Sequence, residues 1–212
     1  KAIEHHTMAL AISREIGDRQ GEGNRLGGLG LAYNRLGQYE KAIKHHTLAL
    51  AISREIGDRR GEGIRLNNLG NAYYSLGQYE KAIEHHTMAL AISREVGNRQ
   101  GEGNHLGNLG LAYDSLGQYE KAIEHHTMAL AISREIGDRQ GEGNRLGGLG
   151  SAYESLGQYQ KAIEHHTMAL AISRVIGDRQ GEGIQLGNLG IAYYSLGQYQ
   201  KAIEHHTLAL AI

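Results

Sequence analysis

Residues 29–39 read Leu29-Gly30-Leu31-Ala32-Tyr33-Asn34-Arg35-Leu36-Gly37-Gln38-Tyr39, and their frame returns at Leu69, Leu109, Leu149 and Leu189. The pattern Leu-Gly-x-Ala-Tyr-x-x-Leu-Gly-Gln-Tyr recurs each time without an insertion, giving a period of 40 residues. Residues 1–30 are even identical, letter for letter, to residues 121–150. A fixed period of this length predicts a solenoid, in which each unit buries its apolar face against its neighbours. Function is then expected on a surface rather than in a catalytic pocket. The informative positions become those that differ between copies.

The 212 residues make five full periods and a 12-residue remainder, so one elongated array over residues 1–212 is expected rather than separate globular domains. The 22 basic and 23 acidic residues are well mixed, for a formal net charge of −1. No basic stripe points to nucleic acid. Apolar runs such as Met8-Ala9-Leu10-Ala11-Ile12 are far too short to span a membrane. Without cysteine there is no thiol redox chemistry or thiolate metal site. With no signal-like segment either, the expected location leans toward the cytoplasm. Proline is also absent, and glycine takes over the punctuation of helices. Lys1 and Ile212 fall inside the same helix of the repeat, so a piece of a longer array is expected. Its ends lack capping sequences, which predicts end-to-end self-association in concentrated solution.

Within one period the apolar residues Tyr39, Ala42, Ile43, His46, Ala49, Leu50, Ser53 and Ile56 are spaced by threes and fours, one face of an α-helix. Gly57 supplies a glycine stop, and Asp58 can cap the next helix by accepting from its open amides. Asn98 can do the same in the third copy. The second helix is predicted from about Arg59 to Leu76, before the Gly77-Gln78 turn. Two antiparallel helices with short glycine turns, stacked in register, make an all-α solenoid.

On the second helix of the pair, stepping roughly 100° per residue places Leu26, Leu29, Gly30, Tyr33 and Leu36 on one side. These residues are constant in all five copies and form the predicted buried seam, Gly30 implying close helix approach. Positions on the opposite side change. The first of them reads Asn24, Ile64, Asn104, Asn144 and Ile184; the next reads Gly28, Asn68, Asn108, Gly148 and Asn188. Further along come Leu31, Asn71, Leu111, Ser151 and Ile191, then Asn34, Tyr74, Asp114, Glu154 and Tyr194. The first helix of the pair is nearly frozen, apart from changes such as Lys44 and Val175 where other copies carry Glu. Drift on a solvated surface would have touched both helices. Diversification of a binding groove accounts better for change on one of them, and exposed Leu and Ile fit a merely solvated face poorly.

Leu29-Gly30, Ala32-Tyr33, Leu36-Gly37, Tyr39, Ala42-Ile43 and Ala49-Leu50 resemble the tetratricopeptide repeat (TPR) family, and the match recurs across essentially the whole chain. The period exceeds that family's usual length of about 34 residues. The surplus, Ile52 to Gly57, lengthens the family's helix B. This long form resembles Pins-type modulators of G-protein signalling, whose Leu-Gly-Asn survives in Leu69-Gly70-Asn71, and more loosely kinesin light chains. The resemblance implies a right-handed superhelix whose helix A lines a concave, peptide-gripping face. It nominates Asn68, Asn108, Asn188 and Asn71 as ligands of a peptide backbone, with Asn24, Asn104 and Asn144 near the helix start. An amide side chain suits this role because it both donates and accepts. Leu26 replaces the family's early aromatic, His46 stands for another, and Gly28 and Gly148 cannot offer the Asn contact.

Other constellations carry less. The His-His pairs, as in His45-His46, lack the i, i+4 spacing of a helical zinc site. His46 reads as a packed core residue, and His45 is expected to face outward. Gly21-Glu22-Gly23 has neither the preceding strand nor the Gly-Lys-Ser/Thr of a phosphate loop and reads as a flexible helix start. Ser13 has no base at a fixed distance, so no enzyme is expected and no cofactor is implied. Arg25, Arg65, His105 and Arg145 share one position, read either as a ladder for an acidic ligand or as unrelated surface charges, with Gln185 breaking the series. The expected function is a scaffold binding a peptide segment of a partner protein on the helix A face, the mixture of Asn with Leu, Ile and Tyr suggesting an amphipathic ligand. A structural, self-associating scaffold, or an array expanded recently or by engineering with no dedicated ligand, is the alternative.

Overall fold

The computed structural model describes residues 1–212, all helices and turns without a strand. In chain order the helices are α1 (Ala2–Glu15), α2 (Arg19–Arg35), α3 (Tyr39–Glu55), α4 (Arg59–Ser75), α5 (Tyr79–Glu95) and α6 (Arg99–Ser115). They continue as α7 (Tyr119–Glu135), α8 (Arg139–Ser155), α9 (Tyr159–Ile176), α10 (Arg179–Ser195) and α11 (Tyr199–Leu210). Even-numbered helices are the A type and odd-numbered ones the B type. The chain forms two compact units, Lys1–Gly101 and Glu102–Ile212. In the first, each helix packs on its chain neighbours and α2 also meets α4; in the second, α8 likewise meets α10. This neighbour-only packing is that of a solenoid.

The turns follow from glycine and a capping carboxylate. Gly57 and Gly77 both take φ of +72°, a left-handed conformation without penalty only for glycine. Asp58 Oδ1 then accepts the Gly61 N–H at 2.8 Å, and Asn98 accepts that of Gly101 at 2.9 Å. The Gly-Glu-Gly that follows is not a flexible start. A Cβ on Gly61 would run into the Asp58 carboxylate, and one on Gly23 would lie 3.1 Å from Ile52 Cγ2. Between them Glu22 is buried and accepts from Arg14 Nε at 2.8 Å and from Arg19, which also bonds Glu55 through Nε at 3.0 Å. Arg59 repeats this with Glu62 and Glu95. Val175, 75% exposed, stands where Glu55 and Glu95 stand, so Arg139 meets only Glu142.

Each core layer sandwiches an A helix between two B helices. Leu10 of α1, Leu26 and Leu29 of α2, and Ala49 and Ile52 of α3 form one such cluster. Leu50, Leu66, Leu69, Ala89 and Ile92 form the next. In the second unit Leu130, Leu146, Leu149, Ala169 and Ile172 repeat the arrangement. Burying each leucine is worth about 1.5–3 kcal/mol. Ile52, read from sequence as part of a tail, is core. Two residues assigned to the buried face are not: Leu36 is 59% exposed and Ile56 is 37% exposed. Both are C-cap residues with ψ near zero, where the helical angle that assigned them no longer holds.

The helix pair closes on an imidazole. His46 is fully buried, and a Cβ on Gly30 of the preceding helix would lie 2.5 Å from its Cε1. Gly70 with His86, Gly110 with His126 and Gly150 with His166 repeat the contact. His45 does not simply face outward. Its Nδ1 donates to the Lys41 carbonyl at 2.7 Å and its ring packs on Tyr33, centroids 5.0 Å apart, with Lys41 over the same tyrosine.

Two outcomes are expected. Alanine is the better helix former, yet Gly70→Ala should lower stability by about 1–3 kcal/mol through overpacking against His86. Gly187→Ala, with nothing within 4 Å of its added Cβ, should instead raise it by ~0.5–1 kcal/mol. Thermal melting of the two variants checks the contrast, and equal behaviour would contradict the imidazole contact. In a separate variant, Val175→Glu restores the missing partner of Arg139. It should raise the melting temperature at low salt but not in molar salt, where the pair is screened.

Candidate functional site

The variable positions lie on the A helices, turned away from the leucine seam. Asn24, Ile64, Asn104, Asn144 and Ile184, one per helix, are all exposed in the first two turns, Ile64 by 55%. Gly28, Asn68, Asn108, Gly148 and Asn188 are half-buried one turn later. Leu31, Leu111 and Ile191 are exposed, whereas Asn71 and Ser151 are half-buried. Asn34, Tyr74, Asp114 and Glu154 are half-buried, and Tyr194 is exposed. Because α2 meets α4, residues 24–34 and 64–74 share one face in the first unit. In the second unit α8 and α10 bring residues 144–154 and 184–194 together in the same way.

Local bonds refine these positions. Asn68 Nδ2 and Asn34 Oδ1 are buried without a hydrogen-bond partner. The Ser151 hydroxyl donates to the Gly147 carbonyl at 3.2 Å, so it is turned into its own helix rather than outward. Tyr74 packs on Tyr79, and Tyr194 on Tyr199, with centroids 5.4 and 5.3 Å apart. The missing Asn at Gly148 has a steric companion: a Cβ there would lie 2.7 Å from His126 Cε1, so His126 is held between Gly110 and Gly148.

The position shared by Arg25, Arg65, His105, Arg145 and Gln185 does not form a continuous surface ladder. Arg25 is exposed, Arg65 and Arg145 are half-buried, and His105 and Gln185 are buried. The Arg65 guanidinium folds over Gly27, where a Cβ would strike it, and Nη2 donates to Asn24 Oδ1 at 3.2 Å. Arg145 covers Gly107 in the same way. A glycine on the neighbouring helix admits the long side chain. The signal was present in the sequence as a Gly at positions 27 and 107 followed 38 residues later by Arg. Gln185, shorter, accepts from His166 Nδ1 at 2.8 Å instead.

Burial sets the electrostatics of this layer. Desolvation, with the nearby Arg65 charge and His45, pulls the His46 pKa down to about 4. Desolvation does the same for His126, helped by Arg145 and His125, and alone it takes His105 to about 4. The Asp114 and Glu154 carboxyls are pushed up by burial, and Glu154 Oε2 lies 4.0 Å from His166 Nε2. No group of three or more His, Cys, Asp or Glu side chains is placed to hold a metal ion. No helix is long and apolar enough to cross a membrane.

The fold and its repeated seam define a TPR-type solenoid. The family model for the tetratricopeptide repeat matches residues 1–55, 64–135 and 143–212, and the chain belongs to this family, one of protein-interaction scaffolds. No curated protein sequence matches it. Among solved structures it is similar to BtubC (BKLC) from P. vanneervenii, at 22% identity over 99% of this chain and 89% of that one, TM-score 0.87. A putative kinesin light chain of nearly identical TPR-like repeats from Podosopora anserina is 22% identical over 89% of this chain and 93% of its own, TM-score 0.74. A Rap protein complexed with Competence and Sporulation Factor is 20% identical over 90% of this chain and 54% of that chain, TM-score 0.77.

The buried imidazoles give the fold a pH dependence whose sign is set. An unfolded histidine takes a proton near pH 6.5, whereas His46, His105 and His126 resist it until about 4. Between these values the unfolded chain binds more protons, so stability is full above about pH 6.5 and falls as pH drops toward about 4. Protonation of Asp114 and Glu154 works against this trend, but two carboxyls oppose a longer series of imidazoles. The melting temperature is expected to be lower at pH 5 than at pH 7. Equal or higher melting at pH 5 would contradict neutral, buried histidines.

Proposed function

We propose that the chain is a non-enzymatic scaffold, one array over residues 1–212, that holds a peptide segment of a partner protein along the variable face of its A helices. One observation carries this reading. At the four positions that begin with Asn24, Gly28, Leu31 and Asn34 the residues that differ between copies are exposed or half-buried on the A helices, while the leucine seam behind them is constant. A surface selected only for solubility has no reason to keep Leu31, Leu111, Ile64, Ile184 and Ile191 on the same side as Asn68, Asn108 and Asn188. Together they suit an amphipathic segment. Apolar anchors rest on the leucine and isoleucine side chains, and amides such as that of Asn68 meet the peptide backbone. The similar Rap protein, complexed with Competence and Sporulation Factor, accords with a fold that holds a partner.

A quadruple variant, Asn68→Ala, Asn71→Ala, Asn108→Ala and Asn188→Ala, tests the proposal once it is shown to melt like the starting chain. A partner captured by the starting chain and lost by the variant is the expected result. Equal capture by both would overturn the asparagine contacts.

A further inference from the structure

Two departures from the repeat fall in one stage of the array, α8–α9–α10: Val175 where other copies carry Glu, and Gln185 where Arg65 and Arg145 stand. A cavity of about 260 Å³ opens in this stage, beside Gln185. Its polar walls come from Gln140, Asn144 and Asp178, and its apolar walls from Ile172, Ile176 and Ile184.

The first unit shows what this chemistry accepts. There the Arg65 guanidinium donates to Asn24 at 3.2 Å and lies over Gly27; burial disfavours its charge, and the charge of Asp58 offsets part of that cost. Asn144, Gly147 and Asp178 are the counterparts of Asn24, Gly27 and Asp58. The cation has no counterpart. Gln185 carries no charge, and its amide is drawn to His166 at 2.8 Å and rests over Gly147, where a Cβ would lie 3.0 Å from Nε2. The Gln140 amide reaches both acceptors in its place, Asp178 Oδ2 at 3.2 Å and Asn144 Oδ1 at a long 3.4 Å. Asp178 Oδ1 is used on the Gly181 N–H at 2.9 Å as a helix cap. A carboxylate and an amide oxygen therefore stand where the sister stage holds a guanidinium supplied by the chain itself.

We propose that this cavity is a subsite for a guanidinium, the side chain of an arginine on a bound peptide. The planar fork can donate to Asn144 and Asp178 together, a geometry that the point charge of an ammonium does not match. The methylene stem lies on Ile172, Ile176 and Ile184, of which Ile176 and Ile184 are 37% and 52% exposed. The inference rests on the peptide-binding reading for the source of the arginine, but not for the chemistry of the subsite.

The test is a nuclear magnetic resonance titration of the full chain with N-acetyl-arginine amide, read at the side-chain amides of Gln140 and Asn144. Saturable shifts with half-saturation on the order of 1 mM are expected. The lysine and citrulline analogues should bind more weakly, citrulline by about tenfold or more because it lacks the charge. Gln185→Arg fills the subsite from within, as Arg65 does, and should abolish the shifts; arginine at this position is tolerated in other copies. Asp178→Asn keeps the helix cap, as Asn98 does, and should weaken binding. No saturable shift, or shifts that persist in Gln185→Arg, would overturn the proposal. Binding of free L-arginine with exclusion of the blocked form would overturn a peptide source. Because small molecules report the subsite alone, failure here leaves the asparagine capture experiment untouched, and failure of that experiment leaves this one standing.

Discussion

The imidazole wedged between glycine-bearing helices is the contact on which the rest of the structure depends. His46 fills a space that exists because Gly30 has no side chain, and the same pair recurs along the array. A larger residue at the glycine would push the helices apart. A charged imidazole at His46 would be desolvated and would face the Arg65 charge. Both members are therefore constrained together, which is the physical reason that neither changes between copies.

Around this contact the other constant residues have fixed tasks. Leucines on the A helix meet a leucine from the preceding B helix and an alanine and an isoleucine from the following one, so no helix pair is complete without the next. The buried Glu22 ties the end of one helix to the start of the next through Arg14 and Arg19, and Arg19 reaches on to Glu55. A buried carboxylate is tolerable there because two guanidinium groups compensate it. With packing, capping and ion pairing all assigned to the seam, the outer side of the A helix is the part of the repeat left free to vary.

Much of this was legible in the sequence. The spacing of Ala42, His46, Ala49 and Leu50 placed the B helix, and Gly57-Asp58 placed its end, because local rules govern helix faces and caps. Leu36 and Ile56 were misplaced because helix geometry stops at the cap. Ile52 was missed because its burial depends on Gly23 in another helix. The inward fold of Arg65 and Arg145 depends likewise on glycines 38 residues earlier, a contact that a helical wheel cannot represent. For the candidate face, sequence gave position and variability. It could not give the orientation of Ser151 into its own helix, the stacking of Tyr74 on Tyr79, or the cavity left by Gln185, all of which depend on neighbours that only the fold brings close.

The central claim is that the seam and the variable face are separate in energy as well as in space. It is tested most directly by melting a chain in which Asn144, Ser151 and Glu154 are replaced together by the second copy's residues, Ile, Asn and Tyr, with Gly148 kept because its place is taken by His126. If these positions only face outward, the melting temperature should stay within about 4 °C of the starting chain. A fall of about 10 °C or more would mean that the varied side chains are part of the packing, and that their variation cannot be read as a binding surface.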